Sequence, residues 1–185
     1  MAAAAAAEAS TGGVVAASAA EDAAPPFDLE APRFDQSTYW GRLSHFLQMT
    51  DMRLILTTDE QLADARAKLE AFKAGGGRLP EGVSNEEMWR ARQVKEATIH
   101  PVTDEPMFLP GRMCCFVPSN LPSTVGMLMA TTAPGMLFWH WFNQSVNVMV
   151  NYTNRSGAEV NMSQLSQAYG LAVVSSCSVA IGASA

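Results

Sequence analysis

One long segment of the chain carries no charged side chain, and this limits the folds that are open to it. From Met113 to Asn154 the sequence contains no Asp, Glu, Lys or Arg, and every Lys and Arg except Arg155 lies at or before Arg112. A soluble domain seldom leaves some forty consecutive positions uncharged, because its surface needs charged groups for solvation. Lipid is therefore the simplest solvent for this segment.

Three apolar segments follow Arg112, and we expect each of them to be a membrane span. They cover residues 113–132, 134–150 and 165–185. A spanning helix needs about 20 apolar residues, and the third segment reaches that length only at the last residue, with no polar flank after it. We therefore expect a multi-pass protein of which this chain is the N-terminal part. Pro118 and Pro122 should kink the first span or make it begin with a broken turn.

The first 26 residues are rich in Ala and contain no Lys or Arg. Gly12, Gly13 and the Pro25-Pro26 pair interrupt any helix that the alanines would favour, so we predict a disordered tail. Secretory signals and mitochondrial presequences both carry basic residues, which this segment lacks. If the protein is mitochondrial, its targeting information should be internal.

Residues 27–112 have the mixed composition of a small soluble region, and two capping boxes predict helices within it. Thr57 with Glu60, and Ser84 with Glu87, have the spacing in which each cap residue and the acidic side chain satisfy each other's backbone N–H. The second helix should stop before His100-Pro101, because a residue that precedes proline disfavours the helical conformation. The fold class is therefore all-α, with a small helical N-terminal region before a multi-helix transmembrane domain. The predicted core residues of the two soluble helices recur at helical spacing: Leu62, Ala65, Leu69, Phe72, Met88, Trp89, Ala91 and Val94.

The polar residues of the second apolar segment are the candidate functional site. Asn143 and Asn147 stand one helical turn apart, with Gln144 and Asn151 close to the same stripe and His140 as the one ionisable group. Amides in hydrocarbon cost several kcal/mol unless they are hydrogen-bonded, so these must face other helices or a wet cavity. A cavity lined by amides and hydroxyls suits a small zwitterion. The alternative is that the amides only hold helices together.

Other chemistries find little support in the sequence. The net charge of −6 argues against nucleic acid as a partner, since phosphate contacts need clustered Lys and Arg. No hydrolase, nucleotide-binding or metal-ligand motif is present, so we expect no enzyme, no cofactor and no metal site. Cys114, Cys115 and Cys177 lie in apolar segments without a paired spacing, and we interpret them as small packing residues in the membrane.

From residue 34 onward the chain resembles the sideroflexin family. The matching words are spread along the chain in family order, and the most specific is VNYTNR at residues 150–155. They lie at residues 34–39, 41–42, 45–46, 50–51, 87–91, 100–101, 109–113, 117–120, 137–141, 143–147 and 150–155. One departure is His100-Pro101-Val102-Thr103, where the family has His-Pro-Asp-Thr.

The resemblance implies an integral protein of the mitochondrial inner membrane with about five membrane segments. It implies transport of serine, and of other small amino acids, into the matrix for one-carbon metabolism, with serine and the lipid bilayer as partners. It also marks His100, Pro101, Gly111, Arg112 and Arg155 as structural motif residues. The alternatives left open are an assembly or scaffold factor in the membrane and an iron-related carrier. A homo-oligomer is also left open.

Overall fold

Helices account for the regular structure of residues 24–182, which are the residues that the computed structural model describes. In that range there is no β-strand beyond an isolated bridge between Ile99 and Pro106. The all-α prediction is confirmed. The α-helices are α1 (Tyr39–Met49), α2 (Asp59–Ala74), α3 (Asn85–Thr98), α4 (Phe116–Met129), α5 (Ala133–Thr153) and α6 (Met162–Gly182). Short 3-10 helices cover Met52–Leu56, Leu109–Gly111 and Met113–Cys115.

Of the two predicted capping boxes, the one at Ser84 is confirmed and the one at Thr57 with Glu60 is wrong by one residue. Thr58, not Thr57, caps α2: its hydroxyl accepts from the N–H of Gln61, whose side chain accepts from the N–H of Thr58. The reason is that the Thr57 N–H already donates to the carbonyl of Leu54 at the end of the preceding 3-10 helix. The box at Ser84 is confirmed, and α3 ends at Thr98, just before His100.

The N-terminal core forms where α2 packs against α3. Of the predicted core residues, all are buried except Leu62, which is partly buried against the same cluster. Phe27 joins this core by edge-on contacts with the rings of Phe72 and Trp89, each at a centroid distance of 4.9 Å. The indole N–H of Trp89 donates to the carbonyl of Pro25 at 2.9 Å. Residues 24–26, predicted as the end of the tail, therefore contact the core, and residues 1–23 of that tail lie outside the described range.

Two cysteines extend this core beyond the predicted domain boundary at residue 112. Cys114 and Cys115, in the 3-10 helix before α4, are buried in the same cluster as Leu54 and Trp89. They pack in the N-terminal core, and not among the apolar helices as predicted. The reason is that Met113–Cys115 forms a separate short helix, which packs against the 3-10 helix Met52–Leu56.

The C-terminal half is a chain of three helices in which α5 packs against both α4 and α6. Within residues 24–182, only α6 is both long enough and apolar enough to cross a membrane. Helix α4 has 14 residues and contains Pro122, and at 1.5 Å per residue it is shorter than a bilayer core of about 30 Å. Helix α5 has 21 residues, but amides and a histidine lower its hydropathy. Three spans therefore remain a prediction.

Candidate functional site: the polar face of helix α5

One side of α5 packs closely on α4 through small residues. Gly126 of α4 lies beneath the indole of Trp139, so close that a β-carbon at position 126 would lie 2.1 Å from two ring carbons. Asn143 lies one turn further along α5, and its Oδ1 accepts a hydrogen bond from the hydroxyl of Ser123 in α4 at 3.1 Å. Ser123 is fully buried. Small residues that let two backbones approach, with a polar bond beside them, are typical of helix pairs in membranes.

Another side of α5 meets α6 through a ladder of polar contacts. The Nδ1 of His140 lies 2.9 Å from the hydroxyl of Ser176, and the hydroxyl of Ser145 lies 2.8 Å from that of Tyr169. The order of these pairs is that of two antiparallel helices. The ladder satisfies polar groups that would be costly in an apolar environment.

A polar stripe runs along α5 between the α4 and α6 contacts, and it shares His140 with the α6 side. We define it as His140, Gln144, Asn147 and Asn151, which follow the spacing i, i+4, i+7 and i+11 and so point within about 60° of one another. The side chains of the first three are half-buried and that of Asn151 is exposed. Within residues 24–182, the side-chain amides of Gln144, Asn147 and Asn151 have no hydrogen-bond partner. Three amides are therefore free to bind a ligand, water or another segment.

The side of α5 opposite the polar stripe is apolar. Phe138, Phe142 and Met149 lie there, and the two phenyl rings stack at a centroid distance of 6.2 Å. Helix α5 thus has four sides that alternate in character: two bind its neighbours, one is polar and one is apolar. This is the pattern expected of a membrane helix with one side toward a wet cavity and the other toward lipid.

Asn143 does not share the environment of the other four candidate residues. The sequence places it one turn from Asn147, but 40° of rotation separates the two on a regular helix. That difference brings Asn143 against Ser123 of α4, while Asn147 stays in the polar stripe. A role for Asn143 in binding substrate stays a prediction, whereas its bond to α4 is a structural contact.

The motif residues gather at one joint, where the N-terminal region meets the end of α5. His100 is buried, and its Nε2 lies 2.9 Å from the backbone carbonyl of Arg155. Its Nδ1 accepts from the N–H groups of Val102 and Thr103. These partners require the tautomer with the hydrogen on Nε2. The His100 ring thus fixes the turn that starts at Pro101 to the segment that follows α5.

Gly111 and Arg112 complete the same joint. A β-carbon at Gly111 would lie 2.0 Å from the hydroxyl of Thr153, so only glycine fits there without a shift. The side-chain amide of Asn154 donates to the Gly111 carbonyl at 2.7 Å. The Nε of Arg112 donates to the carbonyl of Met107 at 3.0 Å.

This joint carries residues that one family shares. The family model described as Sideroflexins matches residues 28–185. The chain belongs to the sideroflexin family. It is 43% identical to Sideroflexin-1 of Homo sapiens over 164 residues, which is 87% of this chain and 50% of that protein. It is 42% identical to Sideroflexin-5 of Homo sapiens over 161 residues, 86% of this chain and 47% of that protein. This sideroflexin chain thus spans about half the length of the curated relatives it matches. No solved structure matches it.

Several contact residues of this sideroflexin went unnoticed in the sequence. Ser123, Tyr169 and Ser176 were not among the candidate residues, because single hydroxyls are common in apolar helices. One signal was available for α4: Ser123 and Gly126 are two small residues at i and i+3, which predicts a close helix contact. Helix α6 carries a comparable signal, because Ala172 and Ser176 are two small residues at i and i+4, but the sequence does not give the helix that they face.

Proposed function

We propose that this sideroflexin is a multi-pass transporter of the mitochondrial inner membrane that moves serine and other small amino acids into the matrix. The observation that carries the proposal is the polar stripe, which is free of carboxylates and lysines and holds three side-chain amides without a hydrogen-bond partner within residues 24–182, beside His140, which is paired with Ser176. An amide donates through its N–H₂ and accepts through its oxygen, so it can bind both the carboxylate and the ammonium group of a zwitterion. A neutral stripe also releases such a substrate readily.

Two features support the membrane location. Helix α6 has the length and composition of a span, and the segment through α4 and α5 carries no charged side chain. Because the chain spans about half of its curated relatives, the remaining segments of the whole protein would enclose the other side of the polar stripe. The transport test therefore uses the full-length gene product.

A scaffold or assembly factor is the second candidate, and one contact favours it. The Ser123–Asn143 bond uses a side-chain amide of α5 for helix packing. The scaffold hypothesis requires every side-chain amide of α5 to have this role. An iron-related carrier has less support, because residues 24–182 hold no cluster of three His, Cys, Asp or Glu side chains suited to a metal ion. The stripe supplies amides and one imidazole, which are weaker iron ligands as a set.

Asn147→Leu separates the transporter from the scaffold. If Asn147 binds substrate, losing one hydrogen bond of about 1 kcal/mol should lower serine uptake per molecule about fivefold, while protein abundance is maintained. Uptake of labelled serine is measured in mitochondria that lack the endogenous transporter and express the full-length variant, and it is divided by the amount of protein. Met149→Leu, on the apolar side of the same helix, is the matched control and should leave the ratio unchanged.

Asn143→Leu gives the opposite pattern. Because Asn143 binds Ser123, its loss should lower abundance and leave uptake per molecule close to the wild-type value. If Asn147→Leu also lowers abundance at an unchanged ratio, the amides hold helices together and the transport role of the stripe is wrong.

A further inference from the structure

Helix α1 turns its apolar side outward. Tyr39, Trp40, Leu43, Phe46 and Leu47 follow the spacing i, i+1, i+4, i+7 and i+8, which is one face of a helix. We name this the α1 apolar face. No residue of α1 is buried, and the exposed fractions of Trp40 and Tyr39 are 72% and 64%. A helix on the surface of a soluble protein packs its apolar face against the core. The orientation of α1 is the reverse of that arrangement.

The polar side of α1 faces the protein. His45 and Gln48 line a cavity of about 700 Å³ between α1 and α3. The side-chain amide of Gln93 in α3 donates to the backbone carbonyl of Gln48 at 2.8 Å. Helix α1 is therefore attached through its polar side and its backbone, which fixes the outward direction of the apolar face.

The same cavity places α1 beside the end of the α4–α5 pair. Met113, which begins the 3-10 helix before α4, and Asn154, which caps α5, both line it. In the proposed function, Met113 and Asn154 mark the point at which α4 and α5 leave the membrane. This inference therefore rests on the proposed function. The apolar face thus lies near the level of the bilayer surface. The exposed side chains of Met52 and Leu56 follow α1 in the next 3-10 helix.

We propose that α1 lies in the plane of the membrane interface, with its apolar face inserted among the lipids below the headgroups. Tyr and Trp are the side chains that favour this depth, because their rings are apolar and their polar ends remain hydrated. Helix α1 itself contains no acidic residue, and Arg42 is exposed on it, so the helix presents one cation and no carboxylate of its own to anionic headgroups. A second protein is the weaker occupant, since a stable interface takes about 20 residues a side and this face offers five.

Tryptophan quenching by brominated lipids tests the inference on the whole chain. The protein is reconstituted into vesicles of phosphatidylcholine and cardiolipin that carry bromine either near the headgroup or deep in the acyl chains. The chain has four Trp residues, so the signal of Trp40 is the difference between the wild type and Trp40→Phe. We expect headgroup-proximal bromine to remove most of the Trp40 signal, and deep bromine to remove less of it. Circular dichroism verifies that the variant keeps its helix content.

Two further tryptophans make the result decisive. The Trp141→Phe difference reports on α5, and its quenching by deep bromine tests the proposed membrane location separately. Trp89 is buried in the soluble core and should resist both lipids. If Trp141 is quenched while Trp40 is not, the α1 inference is overturned. Acrylamide quenching of Trp40 would then indicate that its side chain is in water, and protection from acrylamide would indicate that a protein partner covers it. If Trp141 is not quenched either, the proposed function fails first.

Discussion

At the scale of single residues, two glycines set the distance between helices. Gly126 allows α4 to approach the indole of Trp139, and Gly111 allows the preceding 3-10 helix to approach Thr153. At both positions an added β-carbon would overlap the side chain of the neighbouring helix, Trp139 or Thr153. Each glycine is therefore required for the space it leaves, and not for an unusual backbone angle.

The first residue-scale prediction is that Gly126→Ala separates α4 from α5. The added methyl group would overlap the Trp139 ring, and overpacking of this kind costs about 1–3 kcal/mol. Gly170→Ala is the control, because no atom lies within 4 Å of the new β-carbon and alanine favours a helix by about 1 kcal/mol over glycine. Thermal unfolding in detergent, followed by circular dichroism, measures both. Equal unfolding temperatures for the two variants would refute the close contact.

The residues of the polar stripe were predictable, but their division between surfaces was not. Helical spacing placed Asn143 and Asn147 on one stripe with Gln144 and Asn151 close to it, and His140 was named as the one ionisable group of the segment. Whether an amide at the border of such a stripe meets a neighbour depends on where that neighbour lies. Ser123 is 20 residues away along the chain, and no local pattern indicates that it faces Asn143.

At the scale of helices, capping residues fix the ends of α2 and α3. Ser84→Ala should destabilise the N-terminal core by about 1 kcal/mol, because the N–H of Glu87 loses its acceptor at the start of α3. Thr57→Ala is the matched control, since Thr57 lies next to the α2 cap without serving as it. Urea unfolding followed by circular dichroism gives both values. A cost for Thr57→Ala as large as that for Ser84→Ala would place the α2 cap back at Thr57.

Within the N-terminal region, the helices that were predicted from the sequence are those with both a cap and an inward apolar face. Helices α2 and α3 meet both conditions. Helix α1 was not predicted, although the side chain of Thr38 caps it, because its apolar residues face outward and take no part in a core pattern. The length of α4 was also missed, since Ala130 leaves the helical conformation within a segment that remains apolar.

At the scale of the whole molecule, the motif joint attaches the N-terminal core to α5. Its contacts connect residues that are far apart in sequence: 55 positions separate His100 from Arg155, and 43 separate Gly111 from Asn154. Periodicity and capping describe neighbours along the chain, so they cannot reveal these pairs. The family resemblance marked the residues as structural without giving their partners.

Removing the His100 ring should release the chain that follows α5. His100→Ala loses the bond to the Arg155 carbonyl and both bonds within its own turn. Losing a buried hydrogen bond of about 1.4 kcal/mol raises the open population about tenfold, so trypsin should cleave after Arg155 about tenfold faster when opening is rapid. His45→Ala is the control, because His45 lines the α1 cavity without contacting this joint. Mass spectrometry of the full chain in detergent locates the cleavage and gives its rate. Equal rates at Arg155 in His100→Ala and wild type would mean that Gly111 and Asn154 hold the joint without the ring.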